Sequence, residues 1–131
     1  SAAKLGCGRI AGFDRDPESV RVSIANREEN GIADEAVAFH HAGLEEGFRL
    51  TGRADVVLAN IISDVLCIYA DNLVDSVSPG GVLALSGILA KEQDSVRAHF
   101  EAKCQAAWGA GTRSDGRIMG EWSDVALFRP L

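Results

Sequence analysis

The sequence lacks the features that mark membrane, secreted and metal-binding proteins. Its apolar runs are no longer than a β-strand, so we predict no membrane-spanning segment, and we recognise no signal sequence. It has only 3 cysteines, which lie far apart, without a C-x-x-C pair or a histidine at metal-ligand spacing. We therefore expect free thiols, no metal site and a cytoplasmic location.

Positive charge is also scarce. The formal net charge is -6, and acidic and basic residues are interspersed without a basic stripe. This balance argues against direct nucleic-acid binding but leaves a small nucleotide ligand or a basic protein partner open. Repeats, low-complexity tracts and linkers are absent, and 131 residues suit one domain. We therefore predict a single domain over residues 1–131.

What the chain does contain is an alternation of short apolar runs with segments of helical periodicity. Strands are predicted at residues 9–13, 37–41, 54–61 and 82–86, followed by a strand pair at 106–112 and 122–128 around a turn at 115–116. Helices are predicted at residues 17–30, 65–77 and 91–103, with a polar loop at 43–47. The apolar run at 54–61 is typical of a strand buried on both faces. Together these elements predict a doubly wound α/β sheet with an antiparallel edge.

The segment Gly6-Cys7-Gly8 looks at first like a nucleotide-binding glycine loop. Such a loop follows a strand and opens a helix, and the ribose-binding acid comes roughly 20 residues later. Here Gly8 lies only six positions before Asp14, and no strand precedes Gly6. We therefore interpret this segment as a turn between the end of a helix and the first strand.

Asp14 lies at the predicted carboxyl end of that first strand, where open α/β sheets bind their ligands. Its carboxylate could accept hydrogen bonds from both ribose hydroxyls of a nucleotide. It could equally be a turn or capping acid, although Asp16, directly before Pro17, suits the cap better. Asp14 alone would also suit the ribose of NAD, so a nicotinamide-dependent oxidoreductase is one alternative.

Asn60 lies at the end of the apolar run of residues 54–61, directly before Ile61. A primary amide at such a position is costly unless it is hydrogen-bonded. It is either a structural asparagine that the protein satisfies, or a group at the mouth of a crevice that holds an amine with its lone pair towards an electrophile.

Several segments then occur in one order with fitting spacings. They are Asp14-Arg15-Asp16-Pro17, the run from Ala54 to Ile62, Ser78-Pro79-Gly80-Gly81, and Leu85-Ser86-Gly87-Ile88-Leu89. In these segments the chain resembles the catalytic domain of the S-adenosylmethionine-dependent methyltransferases that modify ribosomal protein L11. The D-x-D-P segment is common to many class I methyltransferases, whereas the asparagine motif followed by P-G-G and L-S-G-I-L is much more specific.

The resemblance implies a Rossmann-like class I methyltransferase sheet, mostly parallel, with an antiparallel C-terminal hairpin. It implies that Asp14 binds the ribose of S-adenosylmethionine. It also implies that Asn60 is both cofactor-binding and catalytic, beside the cofactor's methionine end and the incoming amine. The activity would be N-methylation of protein amino groups, with ribosomal protein L11 as partner, and a homo-oligomer is left open.

The family's D-x-G-x-G-S-G loop, the strand before it and its N-terminal substrate-recognition domain do not occur in these residues. We therefore expect a catalytic domain whose first strand is missing from the chain and whose affinity for the cofactor is weak. Two alternatives stay open: a methyltransferase of another amine, in RNA or a small molecule, and an inactive methyltransferase-like binding module.

Overall fold

A computed structural model describes the whole chain from Ser1 to Leu131. Its strands are β1 (Ile10–Asp14), β2 (Val37–His41), β3 (Ala54–Asn60), β4 (Val77–Leu89), β5 (Arg113–Met119) and β6 (Trp122–Phe128). Its α-helices are α1 (Pro17–Glu29), α2 (Leu44–Thr51), α3 (Ser63–Ile68), α4 (Ala70–Asp75) and α5 (Gln93–Trp108). No helix combines the length and the apolar character needed to cross a membrane.

The chain divides into two compact units, an N-terminal unit (Ser1–Gly52) and a C-terminal unit (Arg53–Leu131). The strands form two separately hydrogen-bonded sheets, β1-β2 in the first unit and β3-β4-β6-β5 in the second. The single domain over residues 1–131 that the sequence led us to expect stays a prediction.

The N-terminal unit begins with a short 3-10 helix that ends at Gly6, whose φ of 88° is left-handed. Gly6-Cys7-Gly8 is therefore the helix-to-strand turn that we predicted. After β1, the carboxylate of Asp16 caps α1, Pro17 takes its first position, and the helix ends at Asn30. These boundaries confirm the predicted helix, and β2 confirms the second strand, which pairs parallel to β1 from Ile10↔Val37 to Asp14↔His41.

The polar loop predicted at residues 43–47 is wrong, because α2 begins at Leu44. Gly47 is buried in this helix, and a Cβ at its position would overlap the ring of Phe13. The Phe13 and Phe48 rings meet edge to face, with their centroids 5.3 Å apart. The glycine that made the segment look like a loop is thus what lets α2 pack closely on β1.

The C-terminal unit has a mixed sheet. Strand β4 pairs parallel to β3 and antiparallel to β6, and β6 pairs antiparallel to β5. The predicted α/β fold with an antiparallel C-terminal hairpin is therefore confirmed. The second hairpin strand has the predicted limits, 122–128. The predicted first strand and turn are wrong, because residues 106–108 end α5, β5 spans Arg113–Met119 and the turn lies at Gly120-Glu121.

The helical segment predicted at residues 65–77 is interrupted. It forms two short helices, α3 and α4, and Val77 already begins β4. Residues 78–81, predicted as a helix-breaking turn, belong to β4 at a shift in its register with β3, between the pairs Ala54↔Val77 and Val56↔Val82. The side chains that pack between helices and sheet include Leu66, Leu73, Leu83, Leu85, Ile88, Phe100 and Leu127, each no more than 1% exposed.

The prediction that the 54–61 run is buried on both faces is wrong. Val56 is 52% and Leu58 71% exposed, and Ala59 is the only residue of β3 in the buried class. The reason is that β3 is the end strand of its sheet, and the helices of this unit pack mainly on β4, β5 and β6 rather than over β3.

Candidate functional site

Asp14 ends β1, opposite His41 in the parallel ladder, and its side chain is exposed. One carboxylate oxygen, Oδ1, accepts a hydrogen bond of 2.9 Å from the backbone N–H of Asp16. This bond fixes the direction of the carboxylate while Oδ2 keeps no hydrogen bond to the protein. Asp14 therefore presents one free anionic acceptor at the carboxyl end of a strand.

The capping role falls to Asp16. Its carboxylate accepts from the Glu18 N–H at 3.1 Å and from the Ser19 hydroxyl at 2.9 Å. The Ser19 hydroxyl, and after it the Glu18 N–H, lowers the pKa of Asp16 from its ordinary value. The loop is held further by the His41 ring, whose Nε2 donates to the Arg15 carbonyl at 3.0 Å. Because Asp16 and His41 hold the loop, Asp14 is left available for a ligand.

Asn60 ends β3 and lies in register with Ser86 of β4. Its side chain is exposed, and its amide makes no hydrogen bond to any protein group. The structure therefore contradicts the interpretation of Asn60 as a structural residue whose amide is hydrogen-bonded within the protein. Instead the amide offers both a donor and an acceptor at the carboxyl end of its strand.

A depression of about 430 Å³ lies beside Asn60 on the sheet of the C-terminal unit. This volume is within the range of ligand-binding clefts. The lining is mostly apolar and comes from β3, β4 and β6: Leu58, Ala59, Asn60, Ala84, Leu85, Ser86 and Asp124. Asn60, Ser86 and Asp124 are its polar side chains, so a ligand held there would be oriented by few groups.

A second groove of about 260 Å³ contains residues that the sequence did not single out. Ser63 donates a hydrogen bond of 2.7 Å to Glu92 on its wall. Ile62 and Trp122, which also line it, are 66% and 56% exposed. Nothing in the sequence signals that Ser63 and Glu92, which are 29 positions apart, form a pair.

Asp14 belongs to the N-terminal unit and Asn60 to the C-terminal unit. Their meeting in one site, which the sequence predicts, stays a prediction.

The model of the ribosomal protein L11 methyltransferase (PrmA) family matches residues 1–122. The chain belongs to this family. The match covers the strand end at Asp14, the strand end at Asn60 and most of the C-terminal sheet.

Curated L11 methyltransferases are similar in sequence over most of this chain. That of Pelotomaculum thermopropionicum is 40% identical over 102 residues, which make up 78% of this chain and 32% of the relative. That of Pelobacter propionicus is 39% identical over 122 residues, 93% of this chain and 36% of the relative. The chain thus spans about a third of the length of the curated L11 methyltransferases that it matches.

Solved structures support the same fold. The ribosomal protein L11 methylase of Lactobacillus delbrueckii subsp. bulgaricus superimposes with a TM-score of 0.82 at 22% identity, over 99% of this chain and 62% of that one. A methyltransferase from Pyrococcus furiosus gives a TM-score of 0.71 at 17% identity, over 99% of this chain and 67% of that one. The Rossmann-like methyltransferase fold that the L11 methyltransferase resemblance implied is therefore confirmed.

Two residues of this chain have side chains that suit parts of S-adenosylmethionine. The free Oδ2 of Asp14 has the chemistry to accept from a ribose hydroxyl, and the unpaired amide of Asn60 can bind polar groups at the methionine end. The glycine loop that cradles the rest of the cofactor in the family is not among residues 1–131. Asp14 and Asn60 therefore suit only two polar parts of the cofactor, its ribose and its methionine group.

Proposed function

We propose that this chain contributes to an S-adenosylmethionine-dependent N-methyltransferase that modifies amino groups of ribosomal protein L11. In this proposal Asp14 binds the cofactor's ribose, and Asn60 is the catalytic residue beside the methyl group. The observation that carries it is the exposed amide of Asn60, free of protein hydrogen bonds, in a chain of the L11 methyltransferase family.

When bound, S-adenosylmethionine would supply a methyl group on its sulfonium sulfur. The nitrogen lone pair of the acceptor would form a bond to the methyl carbon as the carbon–sulfur bond breaks on the opposite side, and the sulfur would leave as a neutral thioether. The acceptor must arrive as a neutral amine, because an ammonium has no lone pair. The carbonyl oxygen of Asn60 accepts a hydrogen bond from the amine N–H and so points the lone pair at the methyl carbon. Much of the rate comes from this alignment of nitrogen, carbon and sulfur.

Asn60 cannot itself take the proton, since an amide is not a base near neutral pH. The amine therefore loses its proton to water before attack. The ordinary pKa of a lysine amine is roughly 10.4, so only a small fraction is reactive at pH 7. The methylation rate is expected to rise about tenfold per pH unit below that pKa. For a lysine acceptor, a profile that levels off near neutral pH would reveal a protein base and contradict this mechanism.

The deciding experiment incubates the protein with S-adenosylmethionine and purified ribosomal protein L11 and follows methylation by mass spectrometry. We expect methyl groups on L11 amines and none on ribosomal RNA or free lysine offered in the same way. Asn60→Ala is expected to lower kcat about 100-fold through lost alignment. Asn72→Ala, which removes an amide from α4 in the same unit, is the matched control and should leave kcat unchanged. Methylation of RNA but not L11 would overturn the substrate assignment.

A binding measurement tests the role of Asp14 separately. Calorimetry of the 131-residue chain with S-adenosylmethionine is expected to show weak binding that Asp14→Ala abolishes. Asp94→Ala, which removes an exposed carboxylate from α5, is the control and should not change the binding. Binding in the micromolar range would contradict the expected weak affinity, and equal binding by the Asp14→Ala chain would contradict the ribose role.

A further inference from the structure

The Asn60 amide has an unusual neighbour, Gly87 of β4. Gly87 has a left-handed φ of 77° and lies where the pairing of β4 with β6 shifts register, between Leu85 and Ile88. Its predecessor Ser86 is the residue in register with Asn60. The sequence marks Gly87 only as part of L-S-G-I-L and gives it no role of its own.

Space explains why this residue is glycine. A Cβ at Gly87 would lie 2.6 Å from Oδ1 of Asn60, far inside contact distance. It would also lie 3.3 Å from the carbonyl oxygen and 3.4 Å from the nitrogen of Ile61, tight against backbone that cannot turn away. The amide of Asn60 therefore rests directly over the bare Cα of Gly87.

The other left-handed glycines of this unit do not share the arrangement. A Cβ at Gly109 or Gly120 would meet open space, with no other atom within 4 Å, and at Gly80 the neighbour is the side chain of Leu131. Their positive φ alone accounts for glycine there. Gly87 thus combines a left-handed φ, which favours glycine, with a close contact to the amide of Asn60, the candidate catalytic residue.

We propose that Gly87 is a positioning residue for Asn60. Because the amide has no hydrogen bond to the protein, its rotamer is restricted by packing alone. The absence of a side chain at Gly87 leaves the space that the amide of Asn60 occupies. An alanine at this position would push the amide aside, since the amide can rotate and the Ile61 backbone cannot. The consequence for methyl transfer rests on the function proposed above, whereas the consequence for the rotamer does not.

The rotamer is tested by NMR on the 131-residue chain. In the unmodified protein the side-chain couplings of Asn60 are expected to report one χ1 rotamer. In Gly87→Ala the Asn60 side-chain amide signals are expected to shift while those of Asn72 stay in place. Gly109→Ala carries a comparable backbone demand without the contact, so it should leave the Asn60 signals unmoved.

Two results would overturn the proposal. One is rotamer averaging of Asn60 in the unmodified chain, a measurement that does not depend on whether Gly87→Ala folds. The other is a folded Gly87→Ala chain whose Asn60 signals are unchanged.

The kinetic arm uses L11 methylation. Gly87→Ala is expected to lower kcat about as far as Asn60→Ala, about 100-fold, with little change in KM for L11. The double variant Asn60→Ala with Gly87→Ala should be no slower than either single variant, because both changes remove the same alignment. Additive losses in kcat would show that Gly87 acts independently of Asn60. If the unmodified protein methylates nothing, the proposed function fails while the NMR result still decides the positioning role.

Discussion

The two units differ sharply in how much apolar surface they bury. In the N-terminal unit only Val37 and Ala42 are buried apolar residues, whereas the C-terminal unit has fourteen. The first unit is held largely by specific contacts, such as the packing of Gly47 on Phe13 and the hydrogen bond of 2.9 Å from Arg27 to the Val37 carbonyl. The second is held by a packed layer between its helices and its four-stranded sheet.

This difference bears on the two candidate site residues. Asn60 ends a strand of the unit with the larger core, so its backbone is expected to be the more rigid. Asp14 ends a strand of a two-stranded sheet, and a two-stranded sheet alone is marginally stable. Local opening is therefore expected to be more frequent around Asp14 than around Asn60.

The largest effect is expected from Phe100→Ala. Phe100 lies on α5 and is fully buried, so its loss removes apolar contacts and leaves a cavity in the C-terminal unit. We expect the free energy of unfolding to fall by about 3–5 kcal/mol, measured by chemical denaturation. Ile118→Ala, which truncates a side chain 57% exposed on β5, is the control and should cost little.

Hydrogen exchange on the Phe100→Ala chain tests whether the two units open separately. If the units open separately, amides of β4 and β6 lose protection and those of β1 and β2 keep theirs. Equal losses in both sheets would show that the two units unfold as one.

A smaller effect is expected from Gly47→Ala in the N-terminal unit. The added Cβ would overlap the Phe13 ring, so α2 or the ring must move, at a cost typical of overpacking, about 1–3 kcal/mol. The better helix propensity of alanine returns up to about 1 kcal/mol. Gly8→Ala, which adds a Cβ in open space outside the helices of this unit, is the control.

Exchange of the β1 amides is the measurement for this variant. Faster exchange than in the unmodified chain for Gly47→Ala, with unchanged exchange for Gly8→Ala, would confirm that the Gly47–Phe13 contact holds this unit together. Unchanged exchange in both would mean that the small core and the hydrogen bonds suffice.

Local signals in the sequence were enough where neighbouring residues determine the structure. Asp16 and Pro17 predicted the start of α1, and Asn30 its end, because capping depends on the residues within one helical turn. The position of Asn60 at a strand end followed from the length of the apolar run. The asparagine motif and the segments around it also identified the family, which the match over residues 1–122 confirms.

The wrong predictions of secondary structure fall where a contact with a residue distant in sequence determines the local conformation. Gly47 looked like a loop residue because the ring of Phe13, which requires it, is far away in sequence. Asp115-Gly116 looked like a turn, yet Gly116 lies within β5, where a Cβ would come within 3.3 Å of the side chains of Gln93 and Arg97 on α5. The contact between Gly87 and Asn60 could not be found in the sequence for the same reason.

The smallest effect is expected from the cap of α1, and it depends on pH. The Ser19 hydroxyl and the Glu18 N–H stabilise the charged form of Asp16, so its pKa in the folded protein lies below the ordinary value of 3.8. The stabilisation is therefore fully present above pH 3.8 and is lost as the pH falls through the lower folded value. Because the carboxylate is exposed, the change is expected to be slight and to be confined to the N-terminal unit.

Asp16→Asn keeps a cap but carries no charge, so it should remove this pH dependence, while Asp16→Ala should also shorten α1 at neutral pH. Exchange of the first α1 amides, measured across the acid range, is the appropriate readout. A pH dependence in the Asp16→Asn chain equal to that of the unmodified chain would assign the titration to another group. Asp16 would then not be what makes the N-terminal unit sensitive to acid.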